Sequence, residues 1–184
     1  IGESREHCIV MGGLSMKGKK EDDVNVSNLT LRDSKGIGVW GDCGASIHLD
    51  NVSVENSGRF GVGVSGTKRS TMKNCNVSHS KRSGLLVCNG GLMTIDGNGT
   101  TIHHNCTDGK LPKFIVAYYG LHTWDSSSSI HLASSLTIET ISKNNGGGGN
   151  HGGKGTIKTI TSGETKNVSS STIKKWSYTR TVFY

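Results

Sequence analysis

Three asparagines, Asn28, Asn51 and Asn74, stand 23 residues apart, and the residues around each follow one pattern. Stacked as rows, the chain reads DVNVSNLTLRDS from Asp23, SIHLDNVSVENS from Ser46 and RSTMKNCNVSHS from Arg69. Each row is apolar at alternate positions, pauses at Asn, resumes alternating and breaks at a polar turn ending in Ser. A period of two belongs to a strand whose side chains point to opposite faces. A unit of this length built from short strands cannot bury its apolar face alone, so stacked copies must share one core. The pattern predicts a β-solenoid with no helical stretch.

Alternation assigns the inner lining. Val24, Ile47 and Ser70 form one column, and Val26, Leu49 and Met72 the next. After the Asn come Leu29, Val52 and Cys75, then Leu31, Val54 and Val77. A third short strand follows each polar turn: Ile37 and Val39, Val62 and Val64, Leu85 and Val87, introduced by Gly36, Gly61 and Gly84. Three strands per coil describe a right-handed parallel β-helix, whereas a leucine-rich repeat would show a Leu-x-x-Leu-x-Leu frame. The expected fold class is all-β, with about six to seven coils of three short strands each.

The Asn column, Asn28, Asn51 and Asn74, is read as a structural ladder. Asn tolerates a left-handed backbone and can hydrogen-bond its equivalents above and below. Asp50, Lys73 and Asp96 fall in one outward column, and Arg32 and Glu55 in another. Opposite charges stacked this way fit pairing between coils better than a catalytic carboxylate pair.

Residues 1–184 read as a single β-helix domain and as a fragment of a longer chain. Regular coils span 23–105, a loop spans 106–119 and looser coils span 120–184. The opening IGESREHCIVMGGLSM is a coil entered part-way, which leaves an open stack of strands. A fourth coil, MTIDGNGTTIHHN, is offset by two residues, and Pro112, the sole proline, falls in the loop. Gly120-Leu121-His122-Thr123 resumes the third strand, and Ser129-Ile130-His131-Leu132 repeats Ser46-Ile47-His48-Leu49. NNGGGGNHGGKG reads as a flexible turn, Gly155–Ile160 as one more strand, and the tail after 161 has no readable register.

With 32% hydrophobic residues and 5% aromatics, composition suits a narrow tube better than a thick core. The net charge of +7 comes from scattered Lys and Arg without aromatic interleaving, which argues against a nucleic-acid partner. Five cysteines without C-x-x-C spacing fit free thiols in a reducing compartment or a virion. No run has the length of a membrane span.

The coil pattern of Asp23–Gly91, with the IGESRE opening, resembles the pectate-lyase-like right-handed β-helix superfamily. Within it, the chain is similar to the repeat proteins grouped as carbohydrate-binding and sugar-hydrolase β-helix domains, which include proteins of algae and large DNA viruses. The resemblance implies the fold. It constrains activity little, because lyases, hydrolases, epimerases, phage tail proteins and plain scaffolds share this architecture. Galacturonan hydrolases of this type carry N-T-D, Asp-Asp, His-Gly and Arg-x-Lys segments on successive coils. Here only Asp22-Asp23 answers to any of these, at a turn and without companions. The calcium-dependent lyases need clustered acids beside an Arg or Lys, and Asp50, Asp96 and Lys73 are the nearest approach. The epimerase Asp-Pro-His segment is absent.

Two functions follow from these residues. One is a non-enzymatic β-helical module with a structural or docking role, its partners other protein subunits of an assembly or virion. The alternative is a protein that binds or cleaves polysaccharide, with Trp40, Trp124, Tyr118 and Tyr119 as a platform for sugar rings. The same aromatics also suit simple packing. No catalytic residue, cofactor or metal site is expected. His48 and His131 are coils apart, His103 and His104 are read as pointing to opposite faces, and His79 and His104 can stack as at most a two-ligand pair.

Overall fold

The computed structural model describes residues 3–19, 22–109 and 117–161, so Pro112 and the tail after 161 lie outside the described residues. An opening partial turn holds β1 (Ile9–Met11) and β2 (Leu14–Lys17). Two full turns follow, β3 (Asp23–Arg32) with β4 (Val39–Asp42) and β5 (Ser46–Glu55) with β6 (Val62–Ser65). The next turn splits its long strand at the Asn into β7 (Ser70–Lys73) and β8 (Asn76–Ser78), then closes with β9 (Leu85–Cys88). β10 (Leu92–Asp96), β11 (Thr101–His103) and β12 (Leu121–Thr123) make another. The last runs β13 (Ser129–Leu132), α1 (Ile138–Ile141), β14 (Ser142–Lys143) and β15 (His151–Gly153), and β16 (Thr156–Thr159) starts again.

Among the described residues all pairing is parallel, in a ten-stranded sheet that bends at the Asn corner and a six-stranded sheet formed by β2, β4, β6, β9, β12 and β15. The register keeps each inner column in line: Leu29 opposite Val52, Leu31 opposite Val54, Val54 opposite Val77, and Ile95 between Met72 and Leu132. Leu31, Val52, Met72, Cys75, Ile95 and Leu132 are each no more than 1% exposed. Each fully buried aliphatic side chain contributes about 1.5–3 kcal/mol. A coil gains this on both sides only when neighbours stack against it, which couples the turns.

Three corners use the left-handed backbone, the third at Cys43, Gly66 and Asn89. Asn28, Asn51 and Asn74 have φ of 55, 54 and 50°, and Asn51 Nδ2 donates to Asn28 Oδ1 at 2.9 Å. The second corner has its own column, Asp33, Asn56, His79, His104 and Asn144, with φ between 53 and 60°. Asn56 Nδ2 there donates to Asp33 Oδ1 at 2.8 Å. The outward charge columns are also in register, Lys73 opposite both Asp50 and Asp96.

Three expectations need correction. First, the third strand of the coil that opens at Asp23 begins at Val39, opposite Val62, so Gly38, and not Gly36, shares a column with Gly61 and Gly84. A Cβ at Gly38 or Gly61 would stand 2.3 Å from Cγ1 of Val54 or Val77, so that column needs glycine. Ile37 then leaves the tube and packs on an outer cluster, while Gly41 takes the place of Val64. Second, the described residues include one helical turn, α1, started by a reciprocal cap between Thr137 and Thr140 and anchored by buried Ile141. Third, the glycine-rich stretch is part of the fold rather than a loose turn. His151–Gly153 pairs with β12, and the Tyr119 ring lies against Gly148 and Gly152, where a Cβ would come within 2.4 Å of it.

At the opening turn, among the described residues β1 pairs only with Thr30–Arg32 of β3, and Ile9, Val10 and Met11 are 46%, 40% and 65% exposed. Cys8, Cys43, Cys75, Cys88 and Cys106 are free thiols, and burial pushes Cys75 up to about 11. Among the described residues no helix is long and apolar enough to cross a membrane.

Candidate functional site

Among the described residues, the aromatic side chains gather on the outer face of the six-stranded sheet. Its register sets Trp40, Gly63, Leu86, His122 and Gly152 in one outward column. Trp40 lies over Gly63, where a Cβ would be 2.4 Å from the indole. Phe60, Leu86, Cys106 and Tyr118 form a buried cluster against which Ile37 and Trp40 pack. Tyr118 meets Phe60 edge-on at 5.8 Å, and the Arg82 guanidinium sits 5.3 Å from the Tyr118 ring. Cations at this range are attracted to the ring faces.

His122 closes this face. Its ring is 1% exposed, between Tyr118, Tyr119 and Trp124 at centroid distances of 6.4, 5.3 and 5.6 Å. Nδ1 lies 3.0 Å from Ser83 Oγ, which also accepts the Tyr119 N–H. Burial holds the imidazole down to about 4, so it is neutral at pH 7. The four aromatic candidates thus occupy different settings. Tyr118 is buried, Trp40 and Tyr119 are half-buried in packing, and Trp124 alone of the four is open, at 43%.

A second surface lies on the ten-stranded sheet. A cleft of about 450 Å³ runs across Thr30, Ser53, Asn76 and Thr101, walled by Arg5, Glu6 and Ile9. Its polar groups bond to one another. Arg32 Nε and Nη2 both reach Glu55 Oε2 at 2.9 Å, Ser53 donates to Glu55, Asn76 Nδ2 to Ser53, and Thr101 to Asn76 Oδ1. Arg5 crosses the floor to donate to the Asn74 carbonyl at 3.2 Å.

The acids are spread, and Asp23, Glu55 and Asp125 are partnered. Asp23 faces Arg69 and His48 at 3.1 and 3.4 Å, and Glu55 faces Arg32. Asp125 accepts from Ser127, Ser128 and the Asn89 N–H, bonds led by Ser127 that hold it down to about 2. Among the described residues no three His, Cys, Asp or Glu side chains converge to hold a metal ion. One histidine expectation fails. His103 and His104 do not point apart, because the left-handed backbone at His104 ends the alternation and brings the two Nδ1 atoms within 2.7 Å. Sequence reading also missed Asn105 and Asn145, whose amides bond across 40 residues and fill the later corner. The second left-handed column was findable, since Asp33, Asn56 and His79 keep the same interval of 23.

These features define a parallel β-helix whose outer faces are largely paired within themselves. The chain matches the family model for a right-handed β-helix region over residues 12–174, and it belongs to that family. No curated protein and no solved structure gives a significant match. The family sets the fold and leaves activity to the surface.

Proposed function

We propose that this chain is a non-enzymatic β-helical module that docks other protein subunits in a larger assembly. The observation that carries this reading is β1, which among the described residues is an edge strand with three successive exposed apolar side chains, Ile9, Val10 and Met11. An edge of this kind templates pairing with another strand, the mode in which main-chain bonds give affinity and alternate side chains give specificity. The paired acids agree with a module that does no chemistry, because a carboxylate held by a base or a backbone N–H is poorly placed as a general acid or base.

Sedimentation of the protein from its native source tests this. The wild-type chain is expected to travel with a larger particle, and the Ile9→Lys/Met11→Lys variant to travel free with an unchanged melting temperature. A free wild-type chain that releases products from pectin, alginate or a glycosaminoglycan overturns the proposal.

A second reading, glycan binding, is favoured by the polar cleft and by the open Trp124 ring. Binding to an immobilised polysaccharide panel, lost in Trp124→Ala and kept in Trp40→Ala, would support it over docking.

A further inference from the structure

The corner after β11 gathers three imidazoles. His79 and His104 hold equivalent left-handed positions one coil apart, and their rings stack at 5.5 Å and 6° from parallel. His103 Nδ1 and His104 Nδ1 are 2.7 Å apart. Asn76 fixes which nitrogen carries the proton. Its Nδ2 donates to Ser53 at 3.0 Å, so its Oδ1 accepts from Thr101 Oγ1 and from His103 Nε2, each at 2.9 Å. His103 therefore presents a lone pair at Nδ1, toward which His104 Nδ1–H donates.

We propose that His103 Nδ1 and His104 Nδ1 form a two-nitrogen chelate for a divalent transition cation of the Ni(II) and Cu(II) class. Nitrogens bound at right angles, about 2.0 Å from an ion, stand about 2.8 Å apart, whereas a tetrahedral site spreads them to about 3.3 Å. The observed 2.7 Å meets the tetragonal spacing, and a turn of both rings away from their mutual hydrogen bond aims the two lone pairs at an ion beside the N···N line. On binding, the ion replaces the shared proton, and His104 stays neutral by taking that proton on Nε2 through water. Asn76 is the outer partner that fixes the tautomer and ring angle of a ligating imidazole. His104 is exposed, which leaves the remaining coordination positions open to water. His79 holds the plane of the His104 ring by stacking and is not a ligand.

Calorimetric titration of the full, untagged chain with Ni(II) tests the site; Ni(II) is chosen because the exposed Cys43 thiol would reduce Cu(II). One equivalent is expected to bind, at least tenfold more weakly in His103→Ala and in His104→Ala, with circular dichroism unchanged. Asn76→Ala should weaken it by about 10-fold or more, the usual effect of losing an outer partner. His79→Phe, which keeps a stacking face, should bind as the wild type does. In the wild-type chain, substoichiometric Ni(II) should broaden the NMR ring signals of His103 and His104 before those of the other six histidines. Absence of binding, equal binding in both Ala variants, or earlier broadening elsewhere overturns the proposal.

Discussion

The early coils, from Asp23 to Ser83, and the later ones, from Gly84 to Thr159, share one core and differ at their corners. In the early coils each corner repeats every 23 residues, with Asn at the first and Asp33, Asn56 and His79 at the second. In the later coils the chain changes length at each corner. Between Asp96, opposite Lys73, and Thr101, opposite Asn76, lie two extra residues. They are absorbed because the Asn74 side chain accepts the Gly99 N–H and the Thr100 hydroxyl donates to the Asp96 carbonyl. Further on, α1 and the Asn105–Asn145 pair replace the simple turns. The difference teaches where a solenoid is strict. A slip of one residue in a strand turns its apolar set outward, so strand register is fixed. A corner need only find partners for its backbone groups, so its length is free.

The largest expected effects test whether the core really is shared. Leu49 and Leu132 point inward in early and late coils, and each is 1% exposed. Leu49→Ala and Leu132→Ala should each cost about 2–5 kcal/mol in urea unfolding, the range for a buried Leu cavity. A loss of only a few tenths for Leu132→Ala would mean that the later turns pack loosely, and the comparison would break.

A second test uses His122, which belongs to the later coils but packs against aromatic side chains at the loop. Its folded value, about 4, lies below the ordinary 6.5, so the neutral form is favoured in the fold. The sign follows from linkage. Stability is full above pH 6.5 and falls as pH drops toward 4, where the unfolded chain takes up the proton first. At about 1.4 kcal/mol per unit the loss reaches about 3 kcal/mol. The drop in melting temperature between pH 7 and pH 4 should therefore be smaller in His122→Gln than in the wild type. Equal drops would show that this ring titrates as an exposed one does.

The inner columns were legible because alternation and the interval of 23 act together, and each residue's neighbour lies one interval away. The third strand was misplaced because Ile37 is apolar and sits where alternation alone would allow it. The glycine column at Gly38, Gly61 and Gly84 fixes the true register. Of the proposed aromatic platform, sequence supplied the members but not their exposure. Tyr118 meets Phe60 from a distant loop, and no local pattern encodes that contact. The Asn105–Asn145 bond was hidden for the same reason, as was the His103–His104 contact, which depends on one backbone angle.

The early Asn corner offers a smaller test. Asn51→Ala loses the bond to Asn28 and the residue type that tolerates φ of 54°. A left-handed residue with a Cβ costs about 1–2 kcal/mol, and the hydrogen bond adds about 1 kcal/mol. Asn51→Gly keeps the backbone at ease and loses the bond only. Hydrogen exchange should show the Ala variant destabilised more than the Gly variant, with the effect centred on β3 and β5. Equal destabilisation in the two variants would mean that the ladder bonds, rather than the backbone, hold this corner.

The smallest effect separates a ladder from a binding surface on the early coils. Arg32 meets Glu55 through two nitrogens, yet its side chain is 42% exposed. Exposed pairs contribute about 0–1 kcal/mol and weaken in salt. Arg32→Ala should therefore lower stability by less than about 1 kcal/mol, and 1 M salt should erase most of the difference. It should also leave any polysaccharide retention unchanged, because in a ladder the guanidinium already has its partner. If Arg32→Ala abolishes retention while stability holds, the cleft binds ligand through Arg32, and the early face is a site after all.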